Sequence, residues 1–269
     1  MIHALFDKHR LEGAPNFRDL GGLPAADGKH IKYGRLLRCG HLAYITPEDA
    51  RKLTEDYHLR TVIDMRTENE MHRRPDTKIP NVEYLRCPIF EKKVEGITRE
   101  TTMITPVESA LQMAHNVHGC DPHERLKTLY LRFFEEEGLQ NYAKFFDLLL
   151  SHEEGALLWH CTMGKDRCGT GALLLEWLLG VPDELILADY LYTADRLTPV
   201  TEETIRQARL IEDDDELMDI IRIMDGVHPA FPAVLRKTAK AMCSTEEFIH
   251  HKLGMTEEKI AKLKDMYLE

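Results

Sequence analysis

The chain has 269 residues, is 43% hydrophobic and 30% charged, and carries a formal net charge of −11, which fits one large domain with a substantial core. The acidic balance argues against general adhesion to nucleic acid or to an anionic membrane. No apolar run reaches membrane-spanning length, the opening MIHALFD meets charge too early for a secretory leader, and six cysteines lie scattered without a disulfide-like spacing. A cytoplasmic protein with reduced thiols is therefore expected, with export by a route lacking a recognisable leader left open.

The early chain reads as short strands with a turn at Asp27-Gly28. A helix opens at Thr46-Pro47-Glu48-Asp49, where Thr caps and Pro takes the first helical position. Residues 61–65 and 82–89 are strand-like, and residues 90–121 lack a clean period. A lid or insertion is placed at about 88–125 within a single domain spanning 1–269. Residues 126–137 and 139–152 read as amphipathic helices leading into a buried strand at 156–159. Residues 169–179 (GTGALLLEWLL) form a helix apolar nearly all round, and further helices are expected at 182–194, 202–210, 215–224, 245–252 and 256–268. The order implies an α/β fold, a central sheet flanked by helices with a mainly helical C-terminal half.

Between the strand at 156–159 and its following helix stand Cys161 and, six positions on, Arg167. A cysteine attacks only as a thiolate, and a helix mouth can lower a thiol pKa to roughly 3.5–7.5. Five intervening residues let the chain curl into a cradle whose N–H groups face inward, with the guanidinium closing on phosphoryl oxygens. Gly164 permits the bend. The competing reading is a structural Cys beside a core helix with an unrelated surface Arg. A Walker loop requires Ser or Thr after Gly-Lys, where Asp166 stands, and a dinucleotide loop requires a third glycine where Leu174 stands.

HCTMGKDR (160–167) resembles the active-site loop of protein tyrosine phosphatases, in particular the atypical bacterial branch with an HCxxGKDR loop. NFRDLGG (16–22) is similar to that branch's N-terminal signature, Val62-Ile63-Asp64-Met65-Arg66 with Glu70 to its VxDLR...E strand, and Gly254-Met255-Thr256 with the next helix to its ending. The resemblance implies a phosphatase-like sheet and a phosphomonoester hydrolase, a protein tyrosine phosphatase or one with dual specificity or phosphoinositide activity, acting through a phosphocysteine intermediate. Phosphorylated proteins or phosphoinositides are then the substrates, with neither metal nor cofactor.

Cys161 is the expected nucleophile and Arg167 its electrostatic partner, with Asp166 as general acid and Asp64 as the alternative. His160, Thr162, Met163, Gly164, Lys165 and Cys168 are the expected substrate-binding residues, Lys165 placing a charge at the rim and His160 steadying the thiolate through the loop's hydrogen bonds. Cys168 departs from the Ser or Thr usual in such phosphatases, and a thiol is the weaker donor. A phosphate-recognising module with little turnover is the alternative, followed by a rhodanese-like Cys-x5-Arg enzyme. His115, His118, Cys120 and His123 have a spacing open to zinc or to a polar loop, and Arg73 and Arg74 one open to an anionic head group or to a solvated turn. Arg18 and Asp19 are expected in a structural ion pair.

Overall fold

A computed structural model of the chain describes Phe6, residues 10–100 and residues 105–269. Five strands form one mixed sheet in the order β1-β2-β5-β3-β4: β1 (Arg18–Asp19), β2 (Leu36–Cys39), β3 (Leu59–Asp64), β4 (Glu83–Arg86) and β5 (Ala156–His160). The edge strand β1 runs antiparallel to β2, and the remaining pairings are parallel. Leu157 and Trp159 of β5 enter the larger core, whereas Ala156 and Leu158 enter a smaller one with Phe17, Leu37, Cys39 and Val62. A strand buried on both faces reads as an unbroken apolar run, as ALLW does.

Thr46 caps α1 (Pro47–Arg51) and Thr67 caps α2 (Glu68–Arg73), each in a reciprocal capping box. The segment read as aperiodic contains α3 (Pro106–Val117), also opened by a capping box at Thr105. Its buried stripe Val107, Ala110, Leu111, Ala114, Val117 has helical period, and the helix packs on α7 and α8, defined below. Residues 101–104 of the lid expectation lie outside the described residues. The two helices expected at 126–137 and 139–152 are shifted: α4 (Pro122–Leu131) starts earlier under an Asp121 cap, and α5 (Glu136–Ser151) follows a short 3-10 turn.

After β5 every regular element is helical: α6 (Asp166–Leu179), α7 (Asp183–Ala208), α8 (Asp215–Asp225), α9 (Phe231–Met242), a short turn from Thr245, and α10 (Glu257–Tyr267). The pair expected at 182–194 and 202–210 is one 26-residue helix that runs through Pro199. A proline costs a helix one donor, and here buried Leu197, Thr201 and Ile205 on either side of it hold the turns together. The helix α9 was not anticipated; it buries Phe231, Leu235 and Ala239 at helical spacing. Trp159 is fully buried and Trp177 packs against the core. Among the described residues, no helix is long and apolar enough to cross a membrane.

Candidate active site

Strand β5 delivers Cys161 to the C-terminal edge of the sheet, and α6 begins five residues later. Gly164 sits at φ +67°, and a Cβ there would lie 2.6 Å from the Cys39 carbonyl carbon, so both backbone angle and space demand glycine. Three successive loop carbonyls are held from outside. Thr162 O accepts from His41 N at 3.1 Å, Met163 O from Asn16 Nδ2 at 3.4 Å, and Gly164 O from Asn16 Nδ2 and Arg38 Nη2, each at 2.9 Å. In a trans peptide C=O and N–H point oppositely, so the N–H groups of Met163, Gly164 and Lys165 turn to the inner side.

Cys161 is 3% exposed. Burial by itself would raise its thiol, but hydrogen bonds from the Cys168 side chain and backbone, together with the Arg167 charge, outweigh it and lower the pKa to about 5. Cys168, by contrast, is pushed well up by burial and by the neighbouring Cys161, so it remains a thiol, its Sγ lying 3.7 Å from the Cys39 carbonyl oxygen as well as beside Cys161. Arg167 Nη1 and Nη2 lie 2.6 and 2.8 Å from the two Glu70 oxygens. Its Nε is a buried donor with no partner among the described residues, the atom left to meet a phosphoryl oxygen. Burial would raise Glu70, yet Arg167, Thr162 and the Arg99 N–H bring it down to about 2.

A cleft of about 410 Å³ opens beside the loop, lined by Thr162, Met163 and Lys165, by the cations Arg74 and Arg99, and by Pro15, Pro106 and Leu197. Lys165 is not a rim charge: it is 2% exposed, and its Nζ lies 3.1 to 3.3 Å from the Met224, Asp225 and Gly226 carbonyls at the end of α8. Those carbonyls are the orphaned acceptors of a helix C-terminus. Asp166 accepts from Tyr130 Oη at 2.9 Å and keeps 11% side-chain exposure. Asp225, which sequence reading did not single out, lines the cleft and pairs with Arg99 at 2.5 Å.

His160 and Asp64 lie beneath the loop rather than in the cleft. Both Asp64 oxygens engage Arg66, at 2.9 and 2.7 Å. His160 is fully buried, with Nε2 3.0 Å from Asp76 and Nδ1 3.2 Å from Cys161 O, so it touches the loop and not a substrate. Burial would lower its pKa, but Asp64 and Asp76 raise it overall. Asp64, Asp76 and His160 are also the one metal-like donor group among the described residues, but the Arg66 guanidinium sits 2.7 and 2.9 Å from the two carboxylates and already supplies the cation.

His115 and His118 pair with Glu212 and Glu216 instead of converging with Cys120 and His123 on a metal. Arg74 lines the cleft, and its guanidinium lies 5.8 Å from the Tyr44 ring centroid. Arg18 pairs with Asp189 rather than Asp19, whose carboxylate accepts from the Gly21 and Gly34 N–H groups. Glu70, read in the sequence only as part of the VxDLR...E match, closes a capping box with Thr67, and its pairing with Arg167 depends on a residue 97 positions away.

A low-pKa thiol at a helix mouth, an inward-facing amide cradle and a carboxylate-anchored arginine are what attack of a cysteine on a phosphate ester requires. The model of the tyrosine phosphatase family matches residues 9–269, and the chain belongs to that family. A relative from Cupriavidus necator, assigned as a tyrosine-protein phosphatase, is 30% identical over 185 residues, or 67% of this chain and 61% of that protein. The chain thus spans less than two thirds of that relative's length. A tyrosine-protein phosphatase of Nostoc commune is 25% identical over 260 residues, covering 94% of this chain and 80% of its own. The crystal structure of PTPMT1 in complex with PI(5)P aligns to 76% of this chain and 95% of its own at 15% identity, with a TM-score of 0.26.

Proposed function

We propose that the chain is a single-domain phosphomonoester hydrolase acting on phosphorylated protein or phosphoinositide in the cytoplasm. The observation that carries this reading is the pairing of a thiol lowered to about 5 with a buried Arg167 whose Nε is unspent. Cys161 Sγ attacks phosphorus and forms the S–P bond as the ester oxygen departs. Arg167 and the loop N–H groups hold the three equatorial oxygens, where transition-state charge gathers. Asp166, one residue before Arg167 and still partly exposed, protonates the leaving oxygen; Asp64 is the weaker candidate because Arg66 occupies both its oxygens. Water then cleaves the S–P bond, and the Cys168 thiol steadies the departing Cys161 thiolate.

The test is phosphate release from an aryl phosphate in a chelator-containing buffer. Cys161→Ser is expected to abolish release while retaining vanadate binding, because the cradle is mainly backbone. Arg167→Lys is expected to be severely impaired, since a point charge does not reproduce the guanidinium fork. Turnover by Cys161→Ser, or a strict requirement for a divalent metal, overturns the mechanism. Phosphate binding by the parent without any release would support a recognition module instead.

A further inference from the structure

The Gly164 carbonyl is held by a closed ring of hydrogen bonds from three distant parts of the chain. Asn16 Nδ2 and Arg38 Nη2 each donate to it at 2.9 Å. Asn16 Oδ1 accepts from Arg18 Nη1 at 2.7 Å, and Arg18 Nε donates to Asp189 Oδ1 at 2.6 Å. Asp189 Oδ2 then accepts from Arg38 Nη1 at 2.7 Å, which returns the ring to Gly164. All four side chains are at most 3% exposed. Water therefore cannot substitute for a missing member, and the orientation of the Gly164 peptide depends on the ring being complete.

We propose that Asp189 is a positioning residue for the phosphate loop: by joining Arg18 to Arg38 it keeps the Gly164 carbonyl turned away from the anion site and the Lys165 N–H turned toward it. This rests on the phosphatase reading above. Gly164 has φ +67°, and a glycine at such an angle has little steric resistance to a peptide flip. A flipped peptide would aim a carbonyl oxygen at the phosphate. The ring supplies the restraint that the glycine itself lacks.

The same cluster has an electrostatic side. Two guanidiniums face one Asp189 carboxylate, and Glu176 of α6, whose oxygens have no hydrogen-bond partner among the described residues, stands nearby. Burial, then the proximity of Asp189, pushes the Glu176 carboxyl well up. Burial would also raise Asp189, but Arg18 and Arg38 outweigh it and keep it ionised.

The experiment measures the phosphate dissociation constant and the pH inflection of Cys161 alkylation by iodoacetamide, alongside kcat and KM for an aryl phosphate. Asp189→Asn is expected to weaken phosphate binding about tenfold, the equivalent of one charge-assisted hydrogen bond, and to move the alkylation inflection upward. Asp189→Glu restores part of both. A folded Asp189→Asn protein with a lower Tm but the parent's phosphate affinity and inflection overturns the proposal, because that is the signature of a purely structural ion pair. If Asp189→Asn does not fold, Asn16→Ala carries the test: it removes the Nδ2 bonds to the Gly164 and Met163 carbonyls and the Oδ1 acceptor of Arg18, and leaves both Asp189 ion pairs in place. Parent-like phosphate affinity in Asn16→Ala also overturns the proposal. A parent protein that binds no phosphate refutes the phosphatase reading itself, and the positioning role with it.

Discussion

Replacing Cys168 with alanine tests the electrostatics of the site most directly. The thiolate of Cys161 is buried, and the largest contribution opposing that burial is the hydrogen bond from the Cys168 thiol, followed by the Arg167 charge and the Cys168 N–H. A hydrogen bond to a charged group contributes about 1.5–3 kcal/mol, and a thiol, as a weak donor, belongs at the lower end. One pKa unit corresponds to about 1.4 kcal/mol, so Cys168→Ala is expected to raise Cys161 from about 5 to roughly 6. At pH 5.5 the thiolate fraction then falls from roughly three quarters to roughly one quarter. Above pH 8 it is nearly complete in both proteins. The assay is the second-order rate of iodoacetamide alkylation across pH 4–9: about threefold slower for the variant at pH 5.5 and equal at pH 8. Cys168→Ser, with a stronger donor, is expected at or below the parent's inflection and with faster breakdown of the phosphocysteine. An unshifted inflection in Cys168→Ala would refute the assignment of Cys168 as the thiolate's donor.

Four other outcomes follow from the same site. Glu70 is held at about 2 in the folded chain against about 4.3 unfolded, so its ionised form contributes up to about 3 kcal/mol above pH 4.5, lost as pH falls toward 2; Glu70→Gln should flatten that acid limb in urea titrations, and an unchanged limb contradicts it. Gly164→Ala forces an L-residue to φ +67° at about 1–2 kcal/mol and drives its Cβ into Cys39, so phosphate binding by calorimetry is expected to vanish, and retained binding would show that the loop is not constrained as described. Asp166→Asn is expected to slow alkyl phosphates far more than activated aryl phosphates and to flatten the basic limb of the pH profile; equal losses on both point to a structural tie to Tyr130, and Asp64→Asn under the same comparison separates the two carboxyls. Peroxide oxidises the Cys161 thiolate to a sulfenic acid, and attack by the Cys168 sulfur then forms a disulfide and releases water. Mass spectrometry without reductant should show the linked pair, whereas sulfinic Cys161 alone would rule it out.

How much of this was legible in the chain follows from where each partner lies. The phosphate loop is contiguous: Cys161, Gly164, Arg167 and the flanking strand and helix occupy one short stretch, and each obeys a rule acting over a few residues. The capping boxes at Thr46 and Thr67 are local in the same sense, as is the Asp27-Gly28 turn, where Asp27 takes φ 58° and Gly28 φ 70°. A continuous α7 was not legible, because a proline at 199 signals a break unless tertiary burial on both sides offsets its missing donor. Nor was α3, whose cap and apolar stripe sit within a segment rich in other polar signals.

The sequence by itself determined the strand-loop-helix and the places of Cys161 and Arg167 on it. Only the tertiary structure decided what sets their chemistry: Glu70 orienting Arg167 from 97 residues away, Asp76 reaching His160, Tyr130 reaching Asp166, and Asp189 bridging Arg18 and Arg38. It also decided that Lys165 anchors the loop to α8 and that Asp64 belongs to Arg66. The physical reason is burial. A charged side chain removed from water must be paired, but which partner the fold brings to it is a property of the packed sheet and helices and not of its neighbours along the chain.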